Sequence, residues 1–486
     1  MLRFRHDRSV AEAAQKAKVR VNFGRSVMPH SNAQARDLND LFHPYTNLKL
    51  LEETGPLIIE RGKGVRVYDT AGRDYIEALS GLWSTALGWG ENELAETAAE
   101  QMRKLSYGHI FAGKSHEPAA ALAEKLKEIA PFPVGKIIYG CSGSEANDTQ
   151  IKFAWYAANA SGQPKKKKII SRRLAYHGVT VAAASLTGLP ANHISFDAPL
   201  AFAIHADTPH YYRGAEPGES EGDYSARLAV NLDALIEKEG PDTIAAMIVE
   251  PVMGAGGAIV PPEGYFDAIT KVLTRHGIRL ISDEVITGFG RTGEWFGAAK
   301  YGFEPDSMSL AKALSSSYLP ISAVLLSPEW TELIDRESKR IGVLGHGLTY
   351  GGHPVTAAVA LKTIEIYQRR NIVGHVRHVS PLFLNRLKTL EDHPLVGEAR
   401  GVGLIAGIEL VANKASKARL PAERQVAAMA QRLAEREGLI IRAVPTDRIA
   451  LCPPLIISED EINDLFDRLT RSLDATVEWA KREKFF

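Results

Sequence analysis

Two side chains suited to carbonyl chemistry close neighbouring apolar runs: Asp283 in Ile278-Arg-Leu-Ile-Ser-Asp283, and Lys312 in Ser307-Met-Ser-Leu-Ala-Lys312. A lysine flanked by Ala311 and Ala313 sits in an apolar setting that depresses its pKa, so its amine can form a Schiff base with an aldehyde cofactor. An aspartate at the end of a buried strand can keep a heterocyclic nitrogen protonated, which turns the ring into an electron sink. That pairing suits pyridoxal phosphate. Each residue alone also has a plain structural explanation, since Asp283 can cap the next turn and Lys312 can be a surface lysine.

Further motifs weigh on the choice. Tyr139-Gly-Cys-Ser142-Gly143-Ser144-Glu145-Ala-Asn147 joins an apolar run to a helical one. Small residues at such a junction leave backbone N–H groups free, and the helix start adds partial positive charge, so a phosphate fits there. An ordinary N-cap fits equally well. A serine-hydrolase elbow fails on spacing, because Ser142 has Gly140 two residues before it but Ser144 two residues after. Tyr176-His177-Gly178 offers an aromatic face for a planar ring. Glu250, before Pro251, ends another apolar run and can bond around that ring or merely cap. Gly288-Phe-Gly290-Arg-Thr-Gly293 matches a dinucleotide fingerprint, yet Asp283 and Glu284 precede it with like charge and no clear helix follows.

The elements that must position these residues follow from the apolar pattern. Short apolar runs at Lys136–Tyr139, Lys168–Ile170, Ala245–Val249, Arg279–Ile281 and Ala323–Leu326 alternate with helical stretches such as Glu91–Lys104 and Pro118–Ile129. That alternation predicts an α/β unit around a largely parallel sheet buried on both faces. A small antiparallel unit is predicted between Leu57 and Leu79. After Pro354 the pattern becomes α+β, with helices at Pro354–Arg369 and Val376–Glu391 and strands at Leu404–Leu410 and Ile440–Ile441.

With 486 residues the chain exceeds one hydrophobic core, so two or more domains are expected. The 58 basic and 58 acidic residues balance, which points to neither nucleic acid nor an anionic membrane as partner. No window is apolar enough for a membrane span. Lys165–Lys168 reads as a solvated loop. Cys141 and Cys452, both expected buried, cannot form a disulfide framework and point to a reducing, cytoplasmic setting. Residues 1–35 are rich in arginine and poor in acid, the pattern of an extending arm or a transit peptide.

The motifs, taken in order, resemble the class III pyridoxal phosphate aminotransferases, the ω-amino acid or amine transaminases, from about Phe42 to Pro454. They are Leu82-Trp83, Ser142-Gly-Ser-Glu-Ala-Asn147, Tyr176-His177-Gly178, Glu250-Pro251, Asp283-Glu284-Val285, the glycine run 288–293, Lys312 and His346-Gly-Leu-Thr349-Tyr350. The resemblance implies fold type I: a large α/β domain on a mostly parallel seven-stranded sheet, and an α+β small domain built from the N- and C-terminal segments. The corresponding ranges are 1–35 for the extension, 36–85 and 351–486 for the small domain, and 86–350 for the large one. It implies that Lys312 carries pyridoxal 5'-phosphate and shuttles the proton, that Asp283 pairs with the ring nitrogen, and that Val285 and Tyr176 take the two ring faces. Gly143 and Ser144 would supply phosphate contacts, with His177 and Glu250 around the ring. Thr349 would reach the phosphate of a neighbouring subunit's cofactor, which implies a homodimer with shared sites and leaves open whether dimers pair.

For substrates the resemblance makes Arg442 the carboxylate-binding arginine and Trp83 an aromatic wall. A guanidinium fork suits a carboxylate. No second arginine stands around Trp83–Trp89 or His43–Thr46, which favours pyruvate over 2-oxoglutarate as acceptor. Tyr107–Phe111 and Val252-Met253 are expected on the donor side, and Pro445 beside Arg442 to bear on its swing. The activity expected is transfer of an amino group from a primary amine or ω-amino acid to a keto acid. An aminomutase or decarboxylase on the same scaffold, and a 2-oxoglutarate-dependent enzyme, are the alternatives.

Overall fold

The computed structural model describes residues 31–486. Most of the expected arm, residues 1–30, lies outside the described residues, and the helix Asn32–Asp40 begins before the expected boundary at 35.

A seven-stranded sheet forms the centre, in the order Lys136–Gly140, Ser322–Leu326, Ser307–Leu310, Arg279–Asp283, Ile244–Val249, Lys168–Arg172, Ala203–Ala206. Ser322–Leu326 runs antiparallel to both neighbours and the other pairings are parallel. This is the architecture of fold type I. Ile244–Val249 is buried at every residue, the pattern of a strand covered on both faces. Ser307–Leu310 is polar on one face for a specific reason. Ser309 Oγ accepts from Gln150 at 3.1 Å and Ser307 Oγ donates to Gln150 Oε1 at 2.8 Å, so the covering helix Gly143–Ala160 satisfies both hydroxyls.

A second sheet pairs Ile59–Lys63, Arg66–Asp69 and Asp74–Glu77 antiparallel, and Leu439–Ile440 joins Asp74–Glu77 in parallel. A third contains Val396–Val402, Ile405–Leu410, Arg448–Leu451 and Arg442–Val444. The helix Glu459–Arg482 closes this region with Leu465, Phe466, Leu469 and Leu473 buried. No helix among the described residues is long and apolar enough to cross a membrane.

Several expectations change. Cys141 is only half-buried, because it lies in the turn before a helix rather than inside a strand. The lysine tract is not simply solvated: Lys166 donates to Gly277 O at 2.7 Å, Lys167 to Asn159 Oδ1 at 2.8 Å and Lys168 to Glu239 Oε2 at 2.8 Å. The helix expected from Val376 runs Ile372–Thr389 and contains Pro381. The strand Ala203–Ala206 and the helices Glu221–Glu239 and Val426–Arg436 were not anticipated.

A buried ionic network lashes the third sheet to the segment Gly256–Ala258. Glu409, wholly buried, accepts from Arg448 Nε at 2.5 Å and Arg213 Nε at 2.6 Å. Arg448 donates to Gly256 O at 3.0 Å and Arg400 to Gly257 O at 2.5 Å, while Arg400 and His210 share Glu398. Burial opposes the charge on Glu409, but the arginines, Arg448 first, hold its carboxyl below the ordinary range. Breaking such a group from one side leaves buried cations unpaired. Glu409→Ala is therefore expected to cost about 3–5 kcal/mol in denaturant unfolding. Because the folded pKa is depressed, the pairing stabilises above the unfolded carboxylate's pKa and is lost as pH falls through the folded value. The stability gap between wild type and Glu409→Gln should thus hold steady near neutral pH and narrow as pH falls below about 4.3, the unfolded carboxylate's pKa.

Candidate active site

The parallel strands present their carboxyl ends along one edge of the central sheet, where α/β proteins place ligands. Asp283 ends one strand, Glu250 follows Ile244–Val249, and Lys312 follows Ser307–Leu310. Gly140 reaches the same edge, since its strand and Ser307–Leu310 both run antiparallel to Ser322–Leu326.

Asp283 is almost fully buried, and its acceptors are taken by specific donors. Oδ2 accepts from Asn147 Nδ2 at 2.7 Å and lies 2.8 Å from His177 Nδ1; Oδ1 accepts from the Val285 amide at 3.1 Å. An ionised carboxylate only accepts, so His177 directs a protonated Nδ1 at it, while its Nε2 is buried without a partner. Asn147 also donates to His177 O at 2.7 Å, which ties both partners together. The orientation of Asp283 is therefore set from behind by two elements.

The helix Gly143–Ala160 starts with a capping box in which Ser142 and Glu145 satisfy each other's backbone. Glu145 also accepts from the Cys141 amide at 2.6 Å. The amides of Gly143 and Ser144 have no intrahelical acceptor and lie on the positive end of the helix dipole. Ser144 Oγ accepts from the Val179 amide at 3.1 Å, which leaves its hydroxyl proton to donate elsewhere. The cradle is tight. A Cβ on Gly143 would lie 3.0 Å from Val285 Cγ1, and one on Gly178 would lie 2.6 Å from Ser144 Oγ.

Lys312 begins a short 3-10 turn with φ of 48°, a left-handed conformation that side chains other than glycine's rarely adopt. Its ammonium nitrogen lies 5.7 Å from the Trp83 ring centre. Burial lowers the amine to about 8, against the opposing pull of Asp283 and Glu250. Trp83 is buried and also left-handed, at φ 58°. Arg442, partly buried on the strand Arg442–Val444, places its guanidinium carbon 5.1 Å from the Trp83 ring and 6.0 Å from the Tyr45 ring. Burial lowers the Arg442 pKa, and the groups acting against that are the phenols of Tyr176 and Tyr45, not a carboxylate. Burial likewise pushes the Tyr176 phenol up, with Tyr45 adding to it.

Lys312, Asp283, Tyr176, Trp83 and Arg442 thus share one site, with Gly143, Ser144 and Val285 at its cradle. Glu250 caps backbone beside the site: its oxygens accept from the Tyr176 amide at 3.1 Å and the Gly254 amide at 2.9 Å. His177 acts through Asp283. Thr349 is exposed, and its carbonyl accepts from Tyr107 Oη at 2.9 Å. Val252 and Met253, expected on the donor side, are core residues with no exposure. Pro445 sits in an exposed turn beyond Arg442.

The glycine run 288–293 is a structural turn. The helix after it is only Gly297–Tyr301, and Arg291 donates to Leu404 O at 3.0 Å and Pro453 O at 2.5 Å. Asn147 belongs to a quoted motif and Tyr45 only to the stretch His43–Thr46, and their site contacts depend on residues 136 and 397 positions away that no local pattern reveals.

Comparison with known proteins agrees with this geometry. Residues 51–473 match the family Aminotransferase class-III. Gamma-aminobutyrate transaminase 1, mitochondrial, of Oryza sativa subsp. indica is 47% identical over 436 residues, covering 90% of this chain and 84% of that protein. Gamma aminobutyrate transaminase 1, mitochondrial, of Solanum lycopersicum is 46% identical over 450 residues, covering 92% and 87%. The ω-transaminase from Pseudomonas jessenii in complex with PMP has a TM-score of 0.91 at 49% identity, covering 92% of this chain and 99% of that one. The chain belongs to the class III aminotransferases and is an aminotransferase that moves amino groups to a keto acid.

Proposed function

We propose that this aminotransferase takes its amino group from an ω-amino acid or primary amine, delivers it to pyruvate by a ping-pong cycle, and uses pyridoxal 5'-phosphate held at Lys312. The observation that carries the acceptor is Arg442, a partly desolvated guanidinium beside Trp83 and Lys312 with phenols rather than carboxylates for neighbours. It suits one substrate carboxylate. Arg291, whose guanidinium N–H groups point at Leu404 O, Pro453 O and Ser80 Oγ, is not free to take a second. The names of the rice and tomato relatives support an ω-amino acid donor, whose own carboxylate would use Arg442 in the other half of the cycle.

The residues present fit the cofactor. A Cβ added at Gly178 would clash with Ser144 and one at Gly143 would press on Val285, unpaired amides start the helix, and a buried acid and a buried amine stand at adjacent strand ends. Gly143 and Ser144 would hold the phosphate, Asp283 the ring nitrogen, and Val285 and Tyr176 the ring faces. When bound, the cofactor supplies the electron sink conjugated to the substrate's amino carbon. Lys312, near neutrality by burial, holds and moves the proton at its Nζ. Asn147 and His177 keep Asp283 oriented, and Trp83 shields Lys312 from water.

The same reading makes the working unit a homodimer. Thr349 and Tyr350 are exposed beside Tyr107, and Phe111 lies against Gly347 of the same segment, so exposed aromatic residues cluster where a second copy would cover them.

Lys312→Ala is expected to abolish turnover and the borohydride-stable attachment of cofactor to the peptide carrying residue 312. Wild-type-like turnover would reject the assignment. In wild-type apoprotein the rate of covalent cofactor capture should rise with pH through about 8, because the ammonium form below that value is not nucleophilic; a flat profile would count against it. Asp283→Asn is expected to slow turnover by roughly a hundredfold or more. Arg442→Ala should weaken the pyruvate half-reaction by about tenfold or more while affecting an uncharged amine donor less, measured half-reaction by half-reaction in stopped flow.

A further inference from the structure

Tyr45 contacts the substrate-side guanidinium although nothing around it packs it in place. It lies in the turn before the helix Leu48–Thr54, 57% exposed, with φ of 52°. More than half of its surface is in solvent, and its backbone conformation is one that non-glycine residues adopt at a cost. Within residues 41–47, the other hydrogen bonds among the described residues are local: His43 Nε2 to Asp37 Oδ1 at 2.6 Å, Thr46 Oγ1 to Pro44 O at 3.0 Å, Asn47 Oδ1 capping the Leu50 amide at 3.2 Å, and the backbone bonds of the Leu41 amide to Asp37 O and the Leu51 amide to Asn47 O, both 3.0 Å.

The exception is at the tip of the ring. Asn192 Nδ2 donates to Tyr45 Oη at 2.6 Å, a contact spanning 147 residues of sequence. Asn192 ends the 3-10 turn Pro190–Asn192 and is 8% exposed, and its Oδ1 is buried without a partner. A buried amide with one unsatisfied oxygen carries a desolvation cost, which the donor bond to Tyr45 offsets only in part. Because Asn192 donates, the Tyr45 hydroxyl proton is free to point toward the Tyr176 phenol, the neighbour whose ionisation Tyr45 opposes.

We infer that Asn192 is a positioning residue for acceptor binding: through the Tyr45 hydroxyl it fixes the aromatic ring that, with Trp83, brackets the Arg442 guanidinium. The inference rests on the reading of Arg442 as the acceptor's carboxylate site. Two rings with centres 5.1 and 6.0 Å from the guanidinium carbon restrict the directions in which it can turn, and a cation held near aromatic rings is kept in place for a carboxylate. Loosening Tyr45 releases one of these walls. The cost falls on the charged acceptor, which needs the fork preorganised, and much less on an amine whose body carries no charge.

The test uses the holoenzyme with Asn192→Ala, Tyr45→Phe and the double variant. Stopped flow reads the pyruvate half-reaction and the half-reaction of an uncharged arylalkylamine separately. Each single variant is expected to weaken pyruvate binding by about three- to tenfold, the double variant by no more than the larger single loss, and the arylalkylamine step by less than either. Tyr45→Phe removes one hydroxyl from an exposed ring, so the result stands even if Asn192→Ala folds poorly. Unchanged pyruvate binding in Tyr45→Phe, losses that multiply in the double variant, or equal losses in both half-reactions would overturn the inference. Arg442→Ala run alongside separates the two readings. If it selectively impairs pyruvate while Tyr45→Phe does not, only the Asn192 inference fails; if it leaves pyruvate untouched, the acceptor reading fails with it.

Discussion

A carboxylate buried at a sheet edge is unfavourable unless its lone pairs are taken, and the disposition of the whole site follows from how Asp283 solves this. Asn147 reaches it from the helix Gly143–Ala160, His177 from the loop after Lys168–Arg172, and the Val285 amide from its own chain. Those partners belong to the elements that carry the phosphate-type cradle, the Tyr176 ring and Val285. Fixing the acid therefore fixes the relative placement of everything that would contact the cofactor. The Asp283 carboxylate is satisfied on both oxygens, and its network connects three segments of the chain.

The second organising feature is the contrast between two kinds of buried cation. Arg448, Arg400 and Arg213 are paired with Glu398 and Glu409 and hold the third sheet to the large one. Glu398, Glu409 and His210 lie close enough together to resemble a metal site, but guanidinium groups already occupy the carboxylate oxygens. Arg442 is the opposite case: desolvated, bracketed by aromatic rings and facing no acid. Lys312 likewise lacks a paired carboxylate, and burial leaves it near neutrality. The arginines of the third sheet are paired with acids, while Arg442 at the site is not.

Much of this was legible before any coordinates. Long apolar runs such as Ile244–Val249 and amphipathic stretches such as Pro354–Arg369 announce themselves by period, and the ordered motifs placed Lys312, Asp283, Tyr176 and Gly143 together. The misses have physical causes. Ala203–Ala206 is too short and too weakly apolar to stand out, and the helix Glu221–Glu239 is interrupted by polar residues that face solvent. Val252 and Met253 looked like pocket lining because burial on sequence grounds does not say on which side of a wall a residue lies. Glu250 and His177 stand close to Asp283 as their motifs implied, but that their bonds run to the Tyr176 and Gly254 amides and to Asp283 shows only in the folded chain. Asn192 carried no signal at all, since its partner is 147 residues away.

The lashing of Ile405–Leu410 and Arg448–Leu451 to Gly256–Ala258 has a mechanical corollary. Arg442 is hydrogen-bonded into that same sheet opposite Ala450, so its backbone is anchored to the frame that carries Lys312. Accommodation of different amines must then come from rotation about side-chain bonds and from displacement of the residue 41–47 loop, not from a hinge between sheets. Reshaping the range of accepted amines is accordingly a matter of side-chain volume at the rim, and grafting alternative domain linkers would leave it unaltered.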